Sequence, residues 1–309
     1  MDKKTERLVN VARMYYEQDR TQSEIADRYG ISRPMVSKLL KEARDRGIVT
    51  IRINAPKGES GGAPSLMELV GRCFGIYDGV AVPDGPNDQT TNEAVAEAAL
   101  SYLSELGGAS LGIGWGHIIG DVVKHMEQRE KLVPIGTFVC PLIGNGGVGL
   151  KNYHSNELVR SIAEHSGAQP RFIYSPACVL SEQELKLTRE LDSYHEIYHV
   201  WEKLDVALVN IGNFPSVPDF ASEARYGDLL IRQKAVGRIL NYFMDSQGHI
   251  IRSDTDYAIQ IPLELLTRTR HVVGICSANT SPKAFRAALK TGYLKHFIAP
   301  EHVVREALE

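Results

Sequence analysis

Basic and hydroxyl side chains recur at helical spacing from Ser32 to Lys41, and these side-chain types donate hydrogen bonds to phosphates and to base edges. The segment before them reads TQSEIADRYG, in which Thr21 and Glu24 have the spacing of a capping box at a helix start. The pattern predicts a helix that reads duplex DNA through its polar face. The candidate DNA contacts are Thr21, Gln22, Ser32, Arg33, Pro34, Ser37, Lys38 and Lys41.

Two short helices joined by a glycine turn must position this polar face. Gly30 can adopt the left-handed conformation that ends the first helix, and Ile31 follows it into the apolar corner. Pro34 suits the first turn of the second helix, where a missing amide hydrogen has no cost. The predicted inward stripe comprises Ile25, Ala26, Val36, Leu39, Leu40 and Ala43. This is a helix-turn-helix pattern, although an ordinary helical hairpin with a solvated basic face is the alternative.

The distribution of charge favours the DNA interpretation. Residues 1–53 hold 12 Lys and Arg and 8 Asp and Glu, a net charge of +4, whereas the whole 309-residue chain carries −3. The rest of the chain therefore carries −7, and DNA would repel it. A basic module gains affinity by releasing counterions from phosphates, so we expect its DNA binding to weaken steeply with salt.

A second group of candidate residues lies in GIGWGHIIGD, residues 112–121. Gly112, Gly114 and Gly116 would let a ligand approach the backbone closely, and the helix that begins after them would present unpaired amides to an anion. The dinucleotide-binding fingerprint is not matched, because the glycine spacing and the acidic residue about twenty positions later are both missing. Glycines that only let a strand and a helix pack tightly are the alternative.

The pattern HEIYH would place His195 and His199 on one face of a helix, with Glu196 able to activate a zinc-bound water. A zinc hydrolase is therefore one alternative function. No third ligand stands at a recognised spacing, and Glu202 or Glu223 would be improvised choices. We expect that the HExxH spacing arises by chance and that there is no metal site. The helix also carries Tyr194, Ile197, Tyr198 and Trp201, which form the apolar face of a helix that covers a sheet.

Three consecutive parts of the chain differ in pattern. Residues 1–53 combine an amphipathic first helix, the helix pair and the alternating segment IVTIRIN, which predicts a three-helix domain with a strand or wing. Residues 54–65 concentrate Gly, Pro and Ser and predict a flexible linker. Residues 66–309 alternate helices with short apolar strands. The predicted fold class is therefore α/β, with a mostly parallel sheet covered by helices on both faces.

Within residues 66–309 the periodicity also predicts individual elements. Helices are predicted over residues 66–74, 91–106, 117–127, 155–166, 181–202 and 282–289, and at the end of the chain. Strands are predicted in YDGVAVP, ASLGIGWG, IGTFVCPLIG, RFIYSP, DVALVNIGN, HVVGICSAN and KHFIAP. Ligands of such sheets bind beyond the carboxyl ends of the strands, where GIGWG is expected to lie.

Composition limits the remaining classes. A hydrophobic content of 43% over 309 residues supports a large core. No apolar run approaches the ~18 residues of a membrane span, and MDKKTERLV lacks the apolar centre of a signal peptide, so we expect a cytoplasmic protein. We expect buried thiols rather than disulfides or zinc ligands, because no CxxC pair occurs among Cys73, Cys140, Cys178 and Cys276.

Five segments carry a resemblance to a known family, in order along nearly the whole chain: GISRPMVSKLLKEARDRGIV, GIGWG, DVALVNIGN, KAVGRILNYFMDSQG and VVGICSANTSPKAFRAALKTGYLKHFI. Together they resemble the SorC family of sugar-responsive bacterial transcription regulators. The resemblance implies a helix-turn-helix joined to an effector domain similar to the ribose-phosphate isomerase and glucosamine-phosphate deaminase fold. It also implies a phosphorylated sugar as the effector, and a homodimer or homotetramer bound to double-stranded operator DNA.

The resemblance further implies which residues bind the effector. Gly112, Gly114 and Gly116 would form the phosphate loop, Asn156 would lie beside the pocket, and Lys283 would be the basic group near the phosphate. Other implied effector contacts are Trp115, His117, Asn145, His154 and Arg238. No cofactor is implied.

The chain departs from the family pattern at four places around this implied pocket. Ile118 replaces a usual threonine, Arg238 replaces a usual acidic residue, Ala278 and Asn279 replace a double glycine, and Ala299–Pro300 replaces a Thr-Asp pair. Because Arg238 reverses the charge, the resemblance implies an effector with a carboxylate or a second anion that this side chain would bind in bidentate fashion. The alternative is an arginine that forms a local salt bridge in an unused pocket.

These observations predict an allosteric regulator of transcription, in which a small ligand changes how paired helix-turn-helix modules meet a palindromic operator. A sugar-phosphate isomerase or deaminase is the alternative, since acid, base or electrophile roles could be given to Lys283, His117, His154 and Asp228. No nucleophile and base stand at a diagnostic spacing, so we expect no catalytic activity.

Overall fold

A computed structural model describes residues 3–16, 18, 20–45, 49, 64–129, 132–147, 149–216 and 226–309. The chain divides into two compact units, Met1–Gly62 and Ala63–Glu309. The predicted strand IVTIRIN lies outside the described residues except at Val49, and so does the predicted linker 54–65 up to residue 63. Both therefore stay predictions.

Three helices form the N-terminal unit: α1 (Lys3–Tyr16), α2 (Gln22–Tyr29) and α3 (Arg33–Asp45). The predicted capping box is present, because the Glu24 amide donates to Thr21 Oγ1 over 3.3 Å and the Thr21 amide donates to Glu24 Oε2 over 2.8 Å. Gly30 ends α2 in the left-handed region with a φ of 62°. The predicted helix-turn-helix geometry is confirmed.

A small apolar core holds the three helices together. Leu8, Val11 and Met14 of α1 are buried, and so is the predicted inward stripe of α2 and α3 at Ile25, Ala26, Val36, Leu40 and Ala43. Leu39 of the same stripe is half-buried. Because these side chains occupy the inner face of α3, its polar side chains are left on the outer face.

The larger unit alternates helices with strands. Its helices are α4 (Leu66–Phe74), α5 (Asp88–Glu105), α6 (His117–Glu127), α7 (Ser155–Ser166), α8 (Glu182–Glu190), α9 (Asp192–Trp201), α10 (Leu229–Arg232), α11 (Leu263–Arg268), α12 (Pro282–Lys290) and α13 (Glu301–Leu308), with a 3-10 turn at Lys151–Tyr153. Its strands are β1 (Gly79–Val82), β2 (Leu111–Ile113), β3 (Phe138–Pro141), β4 (Gln169–Pro170), β5 (Val206–Asn213), β6 (Gly237–Ile239), β7 (Tyr242–Met244), β8 (His271–Ile275) and β9 (His296–Pro300).

The main sheet is parallel and has the order β1-β9-β8-β5-β2-β3-β4. Strands β6 and β7 form an antiparallel hairpin that extends from the end of β5. After β2 the chain adds β3 and β4 on one side, whereas after β5 it adds β8 and β9 on the other side. This reversal opens a crevice at the carboxyl ends of β2 and β5, where ligands bind in open α/β sheets.

Two rows of helices pack against the sheet. Helices α5, α6 and α7 contact one another in one row, and α4, α13 and α12 form the other. Strand residues such as Val139, Ala207, Val272 and Phe297 are fully buried, as expected for a covered parallel sheet. No described helix combines the length and the apolar character that a bilayer crossing requires. The predicted α/β class with a small helical domain is confirmed.

Some predicted elements are wrong. Residues 181–202 form two helices, because Leu191 takes an extended conformation with a ψ of 140° between α8 and α9. RFIYSP is not a strand, since the Asn156 side chain accepts from the Ile173 amide over 3.0 Å and donates to the Ile173 carbonyl over 2.9 Å. The side chain thus takes the place of a neighbouring strand. The hairpin of β6 and β7 was not predicted.

The cysteines divide into two groups. Cys140 and Cys276 are buried, as predicted, and burial raises the pKa of both thiols. Cys178 is half-buried, and the prediction of burial is wrong for Cys73, which is exposed on α4. All four are free thiols.

Candidate functional sites

The outer face of α3 is polar and open to solvent. All six predicted contacts on or just before this helix are exposed, at Ser32, Arg33, Pro34, Ser37, Lys38 and Lys41. The first turn of α3 contains no acidic residue. A helix with one buried apolar stripe and one basic face is suited to enter the major groove of DNA.

A groove of about 520 Å³ opens beside the start of α2. It is lined by Tyr15, Tyr16, Arg20, Thr21, Gln22, Ser23 and Arg33. Arg20 Nη1 lies 3.5 Å from Glu24 Oε1, which places a guanidinium at the helix start. The sequence reasoning missed Tyr15, Tyr16, Arg20 and Ser23, although Arg20 directly precedes the capping box. Thr21, Gln22 and Arg33 were named.

The crevice between β2 and β5 is a cavity of about 540 Å³. Four segments form most of its lining: 116–118 after β2, 210–213 in β5, Arg238 in β6, and Ser277, Asn279 and Thr280 after β8. Asn92, Asp121, Tyr153, Pro215 and Ser216 complete the lining. Of the predicted effector residues, Gly116, His117 and Arg238 meet in this cavity. The family departures Ile118 and Asn279 also line it, whereas Ala299–Pro300 pairs with β1 in the sheet.

Gly116 starts α6 with a φ of 109°, in the left-handed region that favours glycine. Its amide donates to Asn152 O over 2.8 Å, which fixes the loop. No side chain caps this 11-residue helix, so the amides of its first turn, beginning with His117 and Ile118, are available to an anion.

Gly112 and Gly114 have a packing role. A Cβ atom at Gly112 would lie 2.4 Å from Leu142 Cδ2, and one at Gly114 would lie 2.9 Å from Leu240 Cδ2. Trp115 is buried and its ring meets that of Tyr153 edge-on at 5.7 Å. None of these three predicted effector residues lines the cavity.

Four other predicted effector residues also lie outside the cavity lining. Asn145 Oδ1 accepts from the Asn156 amide over 3.2 Å, so the two asparagines form a clamp that holds the segment around Ile173. The His154 carbonyl begins α7 by accepting from Leu158 N over 3.2 Å. Lys283 is exposed in the first turn of α12.

Arg238 is the buried cation of the cavity, with 8% of its surface exposed. Its Nη1 donates to the Leu240 carbonyl over 3.0 Å and to Asn241 Oδ1 over 3.1 Å. Both acceptors are neutral oxygens, and these two bonds hold the guanidinium in the cavity wall.

Asn210 lies on β5 beside Arg238 in the cavity lining and was missed by the sequence reasoning. It is 7% exposed, and its Oδ1 has no hydrogen-bond partner among the described residues. A buried carbonyl oxygen without a donor points to a ligand hydroxyl or amine. An asparagine inside the apolar run DVALVNIGN was the available sequence signal.

Asp121 also lines the cavity, and burial raises its pKa despite the opposing charges of Lys124 and His117.

Residues 277–280 form one rim of the cavity and are held from three sides. The Ala278 amide donates to Asn92 Oδ1 over 2.7 Å, and Asn213 Nδ2 donates to the Asn279 carbonyl over 2.9 Å. His302 Nε2 donates to the Ala278 carbonyl over 3.0 Å, while His302 Nδ1 pairs with Asp84. Both ring nitrogens therefore face acceptors, which requires a protonated imidazole.

The HEIYH segment lies on α9. His199 Nδ1 pairs with Glu202 Oε2 over 2.7 Å, and His195 is exposed. Within the described part of the chain, no group of three His, Cys, Asp or Glu side chains could hold a metal ion. Glu223, considered as a third ligand, lies outside that part. The zinc hydrolase interpretation therefore gains no support from the geometry.

Comparisons with known proteins bear on both sites. Residues 63–309 match the family described as "Putative sugar-binding domain", and residues 5–46 match sigma-70 region 4. The chain is 30% identical over 300 residues to the sorbitol operon regulator of Klebsiella pneumoniae, covering 93% of this chain and 92% of that protein. This chain belongs to the SorC family of transcription regulators. It is a DNA-binding regulator with an effector domain.

Two further comparisons, one of sequence and one of structure, also extend along nearly the full length of both chains. The deoxyribonucleoside regulator of Bacillus subtilis is 26% identical, covering 99% of this chain and 98% of that protein. The crystal structure of full-length SorC from Klebsiella pneumoniae superposes with a TM-score of 0.70 at 27% identity and covers 100% of both chains. These relatives are named as regulators and not as enzymes.

Proposed function

We propose that the crevice between β2 and β5 binds a phosphorylated sugar or a related anionic metabolite, and that its occupancy controls operator binding by the helix-turn-helix. The observation that carries this proposal is the position of Arg238, a buried cation that lines the cavity together with the uncapped start of α6. The relatives named for sorbitol and for deoxyribonucleosides support a sugar-derived ligand.

The arrangement of the cavity suggests how such a ligand binds. The amides of His117 and Ile118 receive the phosphate at the positive end of α6. Arg238 receives a carboxylate or a second anionic group, since a guanidinium binds such groups through paired hydrogen bonds. A ligand hydroxyl donates to Asn210 Oδ1. Lys283 lies outside the lining, so we give it no direct contact.

On DNA, α3 enters the major groove, with Arg33 and Lys38 directed to bases or phosphates. The groove at the start of α2 receives a phosphate from the backbone, because Arg20 and Tyr16 lie on its wall. Two or four copies of the chain bind a palindromic operator, as the two-fold symmetry of such sites requires. A regulator acts where the chromosome is, which supports a cytoplasmic location.

We also propose that the cavity binds without catalysing a reaction. Two residues that could serve as acid or base, Lys283 and His154, lie outside its lining. A third, Asp228, accepts from Arg232 over 3.0 Å at the exposed start of α10. His117 therefore has none of these three beside it, and the carboxyl group that shares the cavity with it is Asp121. The relatives are named as regulators, which favours binding without catalysis.

The substitution Arg238→Gln tests the ligand site. We expect calorimetry to show that the wild-type chain binds a sugar phosphate or a phosphorylated sugar acid, and that Arg238→Gln weakens this binding at least about tenfold by removing a charged hydrogen bond. Arg232→Gln, on the exposed surface, is the matched control. Equal affinities in Arg238→Gln and wild type, with both folded by circular dichroism, would place the ligand elsewhere.

A further inference from the structure

A second cavity of about 520 Å³ lies elsewhere in the larger unit. Its walls come from Arg189 of α8, from α9, from β7 and from residues 252–264. None of its lining residues also lines the crevice between β2 and β5. The two cavities are therefore separate sites on the same unit.

Three tyrosine rings form the apolar part of this cavity. Tyr194 is buried, while Tyr198 and Tyr242 are half-buried, and the ring centroids of Tyr194 and Tyr198 are 6.3 Å apart. Tyr242 is held by its hydroxyl, which donates to the Ile261 carbonyl over 2.7 Å. Such rings give a ligand flat apolar surfaces at little entropic cost, because they are already fixed.

Gln260 provides a buried polar group in the same cavity. Only 6% of its surface is exposed, and its Oε1 accepts from the Asn241 amide over 3.0 Å. A backbone amide can only donate, so this bond fixes which end of the Gln260 amide is the oxygen. Its Nε2 has no protein acceptor among the described residues. This donor, on a side chain that lines the cavity, is therefore available to a ligand acceptor.

The charges around the cavity are balanced. The two guanidinium groups, of Arg189 and Arg252, equal in number the two carboxylates, of Asp256 and Glu264, and His195 also lines the cavity. This differs from the crevice, where Arg238 favours an anion. A cavity with flat apolar walls and equal numbers of charged donors and acceptors suits a molecule that has hydroxyl groups all round and no charge.

We propose that this cavity is a second ligand site, which takes an uncharged polyhydroxylated molecule, a free sugar or polyol. The C–H face of the ligand packs on Tyr198 and Tyr242, and one hydroxyl oxygen accepts from Gln260 Nε2. Asn241 connects the two sites, because its Oδ1 accepts from Arg238 and its amide donates to Gln260. Binding at this site does not depend on the function proposed for the crevice.

The substitution Gln260→Glu tests the proposal, because a carboxylate still accepts from the Asn241 amide but offers no donor to the cavity. D-sorbitol, D-glucose and D-ribose are titrated calorimetrically into the full chain, alongside their phosphates. We expect at least one uncharged compound to bind, and its affinity to fall at least about tenfold in Gln260→Glu and in Tyr198→Ala. Arg232→Gln should bind like wild type.

Several results would overturn the proposal. These are no binding by any of the three uncharged compounds, unchanged affinity in folded Gln260→Glu and Tyr198→Ala, or full displacement of the uncharged compound by a sugar phosphate. A change of native mass in either variant would also overturn it, since the cavity would then be an interface between copies. Failure of the phosphates alone to bind would instead count against the function proposed for the crevice.

Discussion

Arg33 and Lys38 are exposed on α3, where no packing role constrains them. We expect Arg33→Ala or Lys38→Ala to weaken operator binding. Where the side chain reads a base, the loss should be ~1–3 kcal/mol and the sequence specificity at that base pair should relax. If the side chain contacts a phosphate instead, the slope of log affinity against log salt concentration should become shallower by about one. Fluorescence anisotropy at several salt concentrations measures both effects. Lys186→Ala, an exposed lysine on α8, is the control, and operator affinity unchanged in both α3 variants would remove them from the interface.

We expect His302 to make ligand binding in the crevice depend on pH. Burial lowers its pKa, but hydrogen bonding to Asp84, the charge of Asp84 and the Ala278 carbonyl outweigh burial, with Glu306 adding to them, so the pKa is raised. Because the pKa of folded His302 lies above its unfolded value of about 6.5, the imidazolium and its bonds to Asp84 and to the Ala278 carbonyl are complete below about pH 6.5. They are lost as pH rises through the raised pKa. We therefore expect effector affinity to fall with rising pH over this range.

The substitution His302→Asn separates this effect from titration of the ligand. The same phosphate ligand titrates identically with both proteins, so the difference between their pH profiles belongs to His302. We expect a flatter profile and weaker binding at low pH in the variant. Parallel profiles for the two proteins would show that the rim at residues 277–280 does not depend on the imidazolium.

Single residues also show which parts of the cavity lining sequence reasoning can name. Gly116 and His117 were named because a glycine turn before a helix has a local signature. Asn210 was missed, since its lack of a partner depends on contacts between β5 and distant segments. Asn156 has the residue type of a ligand contact, yet it holds the Ile173 backbone. Which of two roles an asparagine plays is decided by tertiary neighbours that spacing does not encode.

At the scale of elements, the two capping boxes form a matched pair. Thr21 with Glu24 starts α2, and Ser65 with Glu68 starts α4 with the same hydrogen bonds. We expect Thr21→Ala and Ser65→Ala each to destabilise its own unit by about 1 kcal/mol, measured by thermal unfolding. Only Thr21→Ala should also weaken operator binding. An equal loss of operator affinity in both variants would show that Thr21 acts through stability alone.

The bounds of helices were predicted better than those of other elements. The observed bounds of α4, α6 and α7 are those predicted, because Ser65, Gly75 and Gly167 mark ends through local capping. The break at Leu191 was not predicted, since residues 181–202 keep helical periodicity across it. The hairpin of β6 and β7 turns at Leu240, a non-glycine residue with a φ of 52°, which no turn signature indicates.

At the scale of the whole molecule, effector and operator must affect each other reciprocally. We expect a saturating effector to change operator affinity by about 5–150-fold, the range of a coupling of ~1–3 kcal/mol. Operator DNA should change effector affinity by the same factor, which calorimetry with and without the duplex measures. Different factors in the two directions would mean that the two measurements do not report one linked equilibrium.

The number of copies is a further whole-molecule prediction. We expect the native mass, by light scattering, to correspond to two or four chains, and the complex to carry one palindromic duplex per pair of helix-turn-helix units. A palindrome with one half-site destroyed should bind much more weakly. A monomer that binds a single half-site with full affinity would contradict this prediction.

Strand β1 hydrogen-bonds to β9, which follows all the other described strands in the sequence. The sheet of the larger unit is thus completed only after β9 has been synthesised, whereas α2 and α3 are synthesised before any of its strands. A late premature stop codon would yield a fragment that carries the reading helices and lacks a finished sensor. We therefore expect such alleles to behave as unresponsive and dominant variants of the regulator, rather than as simple losses of it.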